Sequence, residues 1–128
     1  MRCKRSSDES GAAAVEFALI LPVLILMILG MIEFSRAYNV QISLSNAARE
    51  GARVMAIYDD APLARSSAIA AAPSLNPALT SGEISVSPAA CTSGQTVKVT
   101  IKHSLPLITD YFGVSIPMTG TGVMLCGG

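Results

Sequence analysis

The chain has 128 residues, of which 51% are hydrophobic and 14% are charged, and its formal net charge is zero. A chain of this length has room for one small water-facing domain once a membrane segment is set aside. Because there is neither net positive charge nor a long basic block, nucleic acid is excluded as a partner. The apolar residues are concentrated near the N-terminus, and this concentration predicts a membrane segment.

The N-terminal residues form a polar leader followed by an apolar stretch. Residues 1–11 contain Arg2, Lys4 and Arg5, which favour a cytoplasmic N-terminus because basic residues are retained on that side of the membrane. Residues 12–32 contain a single charge, and as a helix they would span roughly 31 Å, about the thickness of the hydrocarbon core. A cleaved secretory signal is shorter and ends in a small-residue cleavage site, which is missing after this stretch. We therefore predict a retained, single-pass transmembrane helix at residues 12–32.

The next segment, residues 33–58, has the pattern of an amphipathic helix. Apolar and polar residues form two interleaved series with spacings of three and four. No proline or turn cluster separates this segment from the membrane segment, so we predict one long helix over residues 12–58. Pro22 in its interior predicts a kink, because proline removes a backbone hydrogen bond. Gly51 costs a helix about 1 kcal/mol relative to alanine, which predicts that another backbone packs closely there.

The remaining residues, 59–128, are predicted to form a small extracytoplasmic domain. Asp60 and Pro62 suit the start of a short helix over residues 62–72, since aspartate caps helices and proline is harmless in the first turn. Alternation of polar and apolar residues then predicts three antiparallel strands, at residues 83–87, 95–102 and 116–126, the last of them weakened by Gly120 and Gly122. The predicted fold class is α+β, with the long N-terminal transmembrane and amphipathic helix packed on a small antiparallel sheet.

Three cysteines are distributed unevenly about the membrane segment. Cys3 precedes it, whereas Cys91 and Cys126 follow it and form an even pair on one side of the membrane. A disulfide between Cys91 and Cys126 is the predicted state, because a domain this small benefits from a covalent link and an external compartment is oxidising. Two free buried thiols are the alternative. A zinc site is disfavoured because His103 would be the single histidine available as a further ligand.

Residues that could carry out catalysis are sparse. His103 is predicted to follow a strand and to lie at the surface, with no cysteine or aspartate at motif spacing. Asp59 and Asp60 could bind a cation, but adjacent carboxylates at a helix end usually cap the helix. There is no glycine-rich phosphate loop and no metal motif in the sequence. We expect neither enzymatic activity nor a cofactor, a metal or a small-molecule substrate.

Glu16 is the one ionisable residue inside the apolar stretch. A charge at membrane depth is costly and is a functional hypothesis by default. The alternative is that Glu16 lies near the lipid headgroups in the first helical turns, where the helix dipole favours a carboxylate. The residue type and position alone leave both open.

The residues around Glu16 resemble a known processing site. Residues 11–17 read Gly-Ala-Ala-Ala-Val-Glu-Phe, similar to type IV prepilins, in which a charged leader ends in glycine and a glutamate stands at the fifth mature position. Phe17 after the glutamate is similar to the Flp (tight adherence) branch, and residues 46–53, Asn-Ala-Ala-Arg-Glu-Gly-Ala-Arg, resemble the second half of the TadE-like family pattern. Residues 11–53 as a whole resemble the TadE-like domain.

This resemblance implies a minor pilin or pseudopilin that helps to assemble a Flp-type pilus. It implies a processing site formed by Gly11, Ala12, Glu16 and Phe17, with a prepilin peptidase cutting after Gly11. The ammonium group created on Ala12 would then need a carboxylate, from Glu16 of a neighbouring subunit or, more simply, from Glu16 of the same chain. The long distal domain argues against a major pilin, because major Flp pilins are much shorter.

The expected partners are the membrane, the prepilin peptidase, other pilus subunits and assembly-platform proteins. The expected location is the bacterial inner membrane with the C-terminal domain in the periplasm, or outside the cell within a pilus. An uncleaved single-pass anchor for a periplasmic binding domain is the main alternative. A membrane-tethered enzyme is another, for which the sequence offers no catalytic constellation.

Overall fold

The computed structural model describes residues 6–108 and 113–127. The basic leader residues Arg2, Lys4 and Arg5 and the thiol of Cys3 therefore lie outside the described residues. Two helices and three strands make up the fold. They are α1 (Ser6–Tyr58), α2 (Ala61–Ala70), β1 (Ile84–Ser87), β2 (Thr96–Pro106) and β3 (Ser115–Leu125), with a 3₁₀ turn at Ser81–Glu83 before β1.

The chain divides into two units, of which the first ends at Ser35 and the second begins at Arg36. In the first unit the structure shows α1 alone, and every residue from position 10 to position 32 is exposed. By length and composition α1 is the one helix in the described residues that could cross a membrane. Exposed leucine, isoleucine and valine side chains on all sides of a helix are unfavourable in water and favourable in lipid, which fits membrane anchoring.

Helix α1 begins earlier than its hydrophobic pattern indicates. It starts at Ser6 instead of residue 12, so Gly11 lies inside it. The sequence gives a reason, because Ser, Asp and Glu, which precede Gly11, are favoured in the first turn of a helix. The helix continues without interruption through Pro22 and ends at Tyr58, as predicted. The kink at Pro22 stays a prediction.

In the second unit the amphipathic part of α1 and the short helix α2 pack on one face of the sheet. The strands are antiparallel in the order β1-β2-β3. Alternate residues of β2 enter the core, where Val97, Val99, Ile101 and Leu105 are almost fully buried. They meet small and medium apolar side chains of α1, namely Val40, Leu44, Ala47, Ala48, Ala52, Val54 and Met55. The predicted α+β arrangement is confirmed.

Helix α2 starts where the sequence predicts. The Asp60 carboxylate accepts a hydrogen bond from the Leu63 backbone N–H at 2.9 Å, and a proline stands in the first turn. Helix α2 packs closely against α1 at Gly51, since a Cβ there would lie 3.2 Å from the Ala64 carbonyl oxygen and 3.2 Å from the Ala68 Cβ. The close packing predicted at Gly51 is therefore confirmed.

Gly120 and Gly122 of β3 have a role that the sequence did not indicate. A Cβ on Gly120 would lie 2.5 Å from the Leu44 carbonyl oxygen, and one on Gly122 would overlap the Ala48 carbonyl group. The two glycines are therefore the places where the backbone of α1 rests directly on the sheet.

Candidate functional site

The residues of the predicted processing site all lie in the N-terminal part of α1, between its second and fourth turns. Gly11, Ala12, Glu16 and Phe17 are helical and exposed, and apart from the adjacent backbone of α1 no described atom lies within 4 Å of a Cβ built on Gly11. A protease must bind its substrate in an extended form. Glycine costs a helix about 1 kcal/mol relative to alanine, so Gly11 weakens the helix next to this bond. The geometry provides access to the bond after Gly11 but does not present it unwound.

Ala12 and Glu16 lie four residues apart on the same face of α1. This spacing places their Cβ atoms about 5–6 Å apart, within reach of a charge pair if an amino group forms on Ala12. Glu16 is exposed in this part of the chain. The arrangement therefore permits pairing within one chain and equally leaves the carboxylate open to a second subunit.

Pro22 lies five residues, about one and a half turns, beyond Phe17 in the same helix. Its ring nitrogen carries no proton, so the Ala18 carbonyl group loses its usual donor four residues later. In a membrane or a helical bundle such a carbonyl is tolerated if a neighbouring group satisfies it. Pro22 is thus a second polar position, besides Glu16, on an otherwise apolar surface.

The disulfide is present where it was predicted. Cys91, in the connection between β1 and β2, is bonded to Cys126, which follows β3, and their Cα atoms are 5.6 Å apart. The Cys91 backbone N–H also donates a hydrogen bond to the Asp59 carboxylate. Asp59 follows α1 with a φ of 49°, a left-handed conformation that aspartate tolerates better than most residues. The end of α1, the disulfide and the end of β3 are consequently joined at one place.

His103 lies inside strand β2 and is buried, with 3% of its surface exposed. The prediction of a surface histidine after a strand is therefore wrong. The strand continues to Pro106, and His103 takes the next inward position after Ile101 in the alternation. That alternation, Val97-x-Val99-x-Ile101-x-His103-x-Leu105, was the signal in the sequence that could have identified it.

The histidine forms a polar cluster with the turn before β1. His103 Nδ1 lies 2.8 Å from Glu83 Oε1, and because an ionised carboxylate only accepts, Nδ1 donates. The other oxygen, Glu83 Oε2, accepts from the Thr80 backbone N–H at 2.7 Å and from the Thr80 hydroxyl at 2.8 Å. Partial burial raises the pKa of Glu83, but the hydrogen bonds from Thr80 and the neighbouring His103 outweigh it and hold that pKa below its usual value.

This cluster resembles a structural element more than a catalytic one. His103 Nε2 is buried and has no hydrogen-bond partner among the described residues, so the ring cannot reach a substrate from that side. Within residues 6–108 and 113–127, no group of three or more His, Cys, Asp or Glu residues is placed to hold a metal ion. The residues named above do not bring an acid, a base and a nucleophile together in a surface cleft.

Comparison with known proteins concerns the helix and not the distal domain. Residues 11–53 match the family model described as TadE-like protein, which confirms the predicted resemblance. The match includes Gly11, Glu16 and Pro22, and it ends before α2 and the sheet. No curated protein and no solved structure matches the chain. The family associates this segment with pilin-like proteins of the Tad pilus, which are structural rather than enzymatic.

Proposed function

We propose that this chain, with its TadE-like segment at residues 11–53, is a minor pilin or pseudopilin that takes part in assembly of a Tad (Flp) pilus. In this proposal residues 1–11 are a cytoplasmic leader, residues 12–32 span the inner membrane once, and residues 59–128 form a periplasmic domain. A prepilin peptidase cuts after Gly11, and the mature chain interacts with other pilus subunits and with the assembly platform.

One observation carries the proposal: residues 12–32 form an apolar, fully exposed helical surface that contains a single acidic residue, Glu16. A water-soluble protein would bury such a surface, whereas a pilin uses it first as a membrane anchor and then as a contact between subunits. The family match over the same residues supports the second use. The exposed Glu16 carboxylate gives that surface one specific polar contact, because the cost of removing the carboxylate from water is offset when an ammonium group pairs with it.

The small second unit supports a structural role for the distal domain. Its core is stabilised by the disulfide, by α2 and by the close contact of α1 with β3. Within the described residues, the buried His103 is held by Glu83 through Nδ1, and its other ring nitrogen, Nε2, is buried as well. The domain is therefore suited to contact other proteins and not to catalyse a reaction.

The decisive experiment determines the N-terminus of the mature chain. The chain is expressed with an active prepilin peptidase, extracted from the membrane and analysed by intact mass and N-terminal sequencing. We expect Ala12 as the first residue of the parent protein and a full-length species for Gly11→Trp, since the peptidase must accommodate the residue before the cut. Gly30→Trp is the control, because Gly30 is an equally open helical glycine and its replacement should leave processing intact.

An intact N-terminus in the parent protein would overturn the processing step and would favour an uncleaved single-pass anchor. Loss of residues 1–11 from Gly11→Trp at the same bond would show that Gly11 does not direct the cut.

A further inference from the structure

The outer edge of the sheet is formed by β3, which pairs with β2 alone among the described strands. The register from Thr96 opposite Leu125 to Pro106 opposite Ser115 has no interruption, so β3 contains no bulge. In such an antiparallel pair, residues alternate between directing both backbone groups at the partner strand and directing both away from it. The parity of the residue number therefore decides which groups of β3 are available at the edge.

Three hydrogen bonds establish this parity. The Cys126 N–H donates to the Gln95 carbonyl at 2.7 Å, and the Leu107 N–H donates to the Val114 carbonyl at 3.3 Å, so even-numbered positions face β2. The Thr119 carbonyl accepts instead from the side-chain amide of Gln41 at 2.9 Å, from outside the sheet. Odd-numbered positions consequently direct their N–H and carbonyl groups away from the sheet.

The two halves of this edge differ. In the first half Pro117 has no N–H, and the Thr119 carbonyl is already occupied by Gln41. In the second half Thr121, Val123 and Leu125 present N–H and carbonyl groups outward. No charged residue occurs in β3, although proteins usually protect exposed edges with charges, proline or bulges. The open half of the edge thus lacks the features that prevent another strand from pairing with it.

An apolar groove lies beside the open half. It has a volume of about 340 Å³ and is lined by Arg53, Ala56 and Ile57 of α1 and by Met124 and Leu125 of β3. Ile57 and Leu125 are 52% and 57% exposed. The Arg53 side chain is 63% exposed and lies 3.7 Å from Glu50, a distance at which a solvated pair contributes little. Arg53 is therefore available to a second carboxylate.

We propose that residues 121–125 and this groove, together called the docking edge, bind an extended segment of a partner protein that carries an apolar side chain and a carboxylate. The backbone of the partner pairs with Thr121, Val123 and Leu125, its apolar side chain enters the groove, and its carboxylate meets Arg53. Strand addition of this kind takes affinity from main-chain hydrogen bonds and specificity from the side-chain pocket. The inference is independent of the processing site.

Charge complementarity distinguishes this partner from a second copy of the chain. The edge strands β1 and β3 contain no aspartate or glutamate, so neither strand of another copy would supply the carboxylate for Arg53. The acidic residue nearest to β1 in sequence, Glu83, is held by His103 and Thr80. A strand from a different protein, which can carry a carboxylate, therefore fits the docking edge better than a strand from a second copy of this chain.

The test uses the full chain in detergent micelles and three short peptides of alternating valine and threonine. The peptides carry glutamate, glutamine or lysine at one central position. Binding is followed by fluorescence anisotropy and by residue-resolved amide hydrogen exchange. We expect the glutamate peptide to bind about tenfold more tightly than the lysine peptide and to slow exchange at Thr121, Val123 and Leu125. The amides of Gly120, Gly122 and Met124, which already face β2, should not change.

Two variants separate the backbone and charge contributions. Val123→Pro removes an outward N–H and leaves the hydrogen bonds between β2 and β3 intact. It should weaken binding of the glutamate peptide about tenfold, the value of one hydrogen bond. Val123→Thr keeps the N–H and should not weaken this binding. Arg53→Glu should reverse the preference to the lysine peptide. Absence of protection at the three odd-numbered amides, or an unchanged peptide preference in Arg53→Glu, would overturn the proposal. Protection of the same amides on raising the concentration of the chain alone would assign the edge to a second copy and would also overturn it.

Discussion

At the scale of single residues, two glycines determine how closely the helix approaches the sheet. Gly120 and Gly122 lie under the backbone of α1 at Leu44 and Ala48. Backbone atoms cannot rotate away as a flexible side chain does, so an added methyl group must separate the two elements. Glycine lowers the strand propensity at these two positions, but it allows α1 and β3 to lie a short distance apart.

Gly122→Ala should therefore destabilise the second unit strongly. We expect a loss of about 3 kcal/mol or more in the free energy of unfolding, at the upper end for overpacked sites, because contact along α1 is disturbed as well. Urea unfolding of the full chain in detergent micelles measures it. Gly82→Ala is the matched control, since a Cβ at Gly82 meets nothing within 4 Å, and it should change stability by about 0.5 kcal/mol at most. Equal effects for the two variants would contradict the close contact.

The Glu83 carboxylate makes stability depend on pH in acid. Its pKa is lowered in the folded chain from the ordinary 4.5, so the stabilisation is complete above that ordinary pKa and is lost as the pH falls through the folded pKa. We expect the free energy of unfolding of Glu83→Gln to lie below that of the parent protein at neutral pH. The difference should shrink as the pH falls below 4.5.

Urea unfolding at a series of acidic pH values measures this difference. The control is Glu50→Gln, because Glu50 forms an exposed contact of 3.7 Å with Arg53, and such pairs contribute at most about 1 kcal/mol. A difference between Glu83→Gln and the parent that stays constant across the acidic range would exclude the carboxylate as the source of the pH dependence.

At the scale of the elements, the sequence predicted those features that depend on local patterns. The interleaved apolar and polar series indicated the amphipathic half of α1, and its end at Tyr58 agrees with the structure. Asp60 indicated the start of α2, where its carboxylate does accept from the first turn. Alternation indicated β2, although the strand extends four residues beyond the predicted end. Each of these signals lies within a few residues of the element it indicates.

Features that depend on contacts between distant residues were not predicted. His103 interrupted an apolar alternation, and its partner Glu83 is 20 residues away, so nothing nearby indicated that the ring could be buried with a hydrogen bond. Gly120 and Gly122 were interpreted as weak strand positions because the backbone that they contact belongs to α1. The early start of α1 at Ser6 was missed because the polar leader lacks the periodicity used to identify helices.

The connection between β1 and β2 is held to β3 by the disulfide. Replacing both Cys91 and Cys126 with serine should lower the free energy of unfolding by about 3–4 kcal/mol, the chain-entropy value for a loop of this length. Urea unfolding of the oxidised parent and of the double variant measures the difference. The parent treated with reductant is the control and should behave like the double variant. Unchanged stability after either treatment would contradict a stabilising role for the bond.

At the scale of the whole molecule, one helix belongs to two different environments. The first unit exposes residues 10–32, most of which are apolar, whereas the second unit buries one face of the same helix against the sheet. Substitutions in the second unit should therefore alter folding in water, and substitutions in the first unit should alter membrane insertion and assembly. A substitution of Glu16 is the best test of this difference, because the charge of Glu16 does not contribute to folding of the distal domain.

Glu16→Gln should impair assembly and leave folding intact. If the Ala12 ammonium of one subunit meets the Glu16 carboxylate of another, the change removes one member of a buried pair, which costs about 3–5 kcal/mol. A single subunit in the bilayer avoids this cost because its amine stays among the headgroups.

Co-purification of processed Glu16→Gln with other pilus components, compared with the parent protein, measures the effect. Glu33→Gln, outside the first turns of α1, serves as a second acidic-to-amide change in the same helix. We expect recovery in the complex to fall for Glu16→Gln while formation of the Cys91–Cys126 bond is unchanged. Equal recovery of the Glu16→Gln and parent chains would refute the intersubunit pair and would leave Glu16 as a charge at the headgroups.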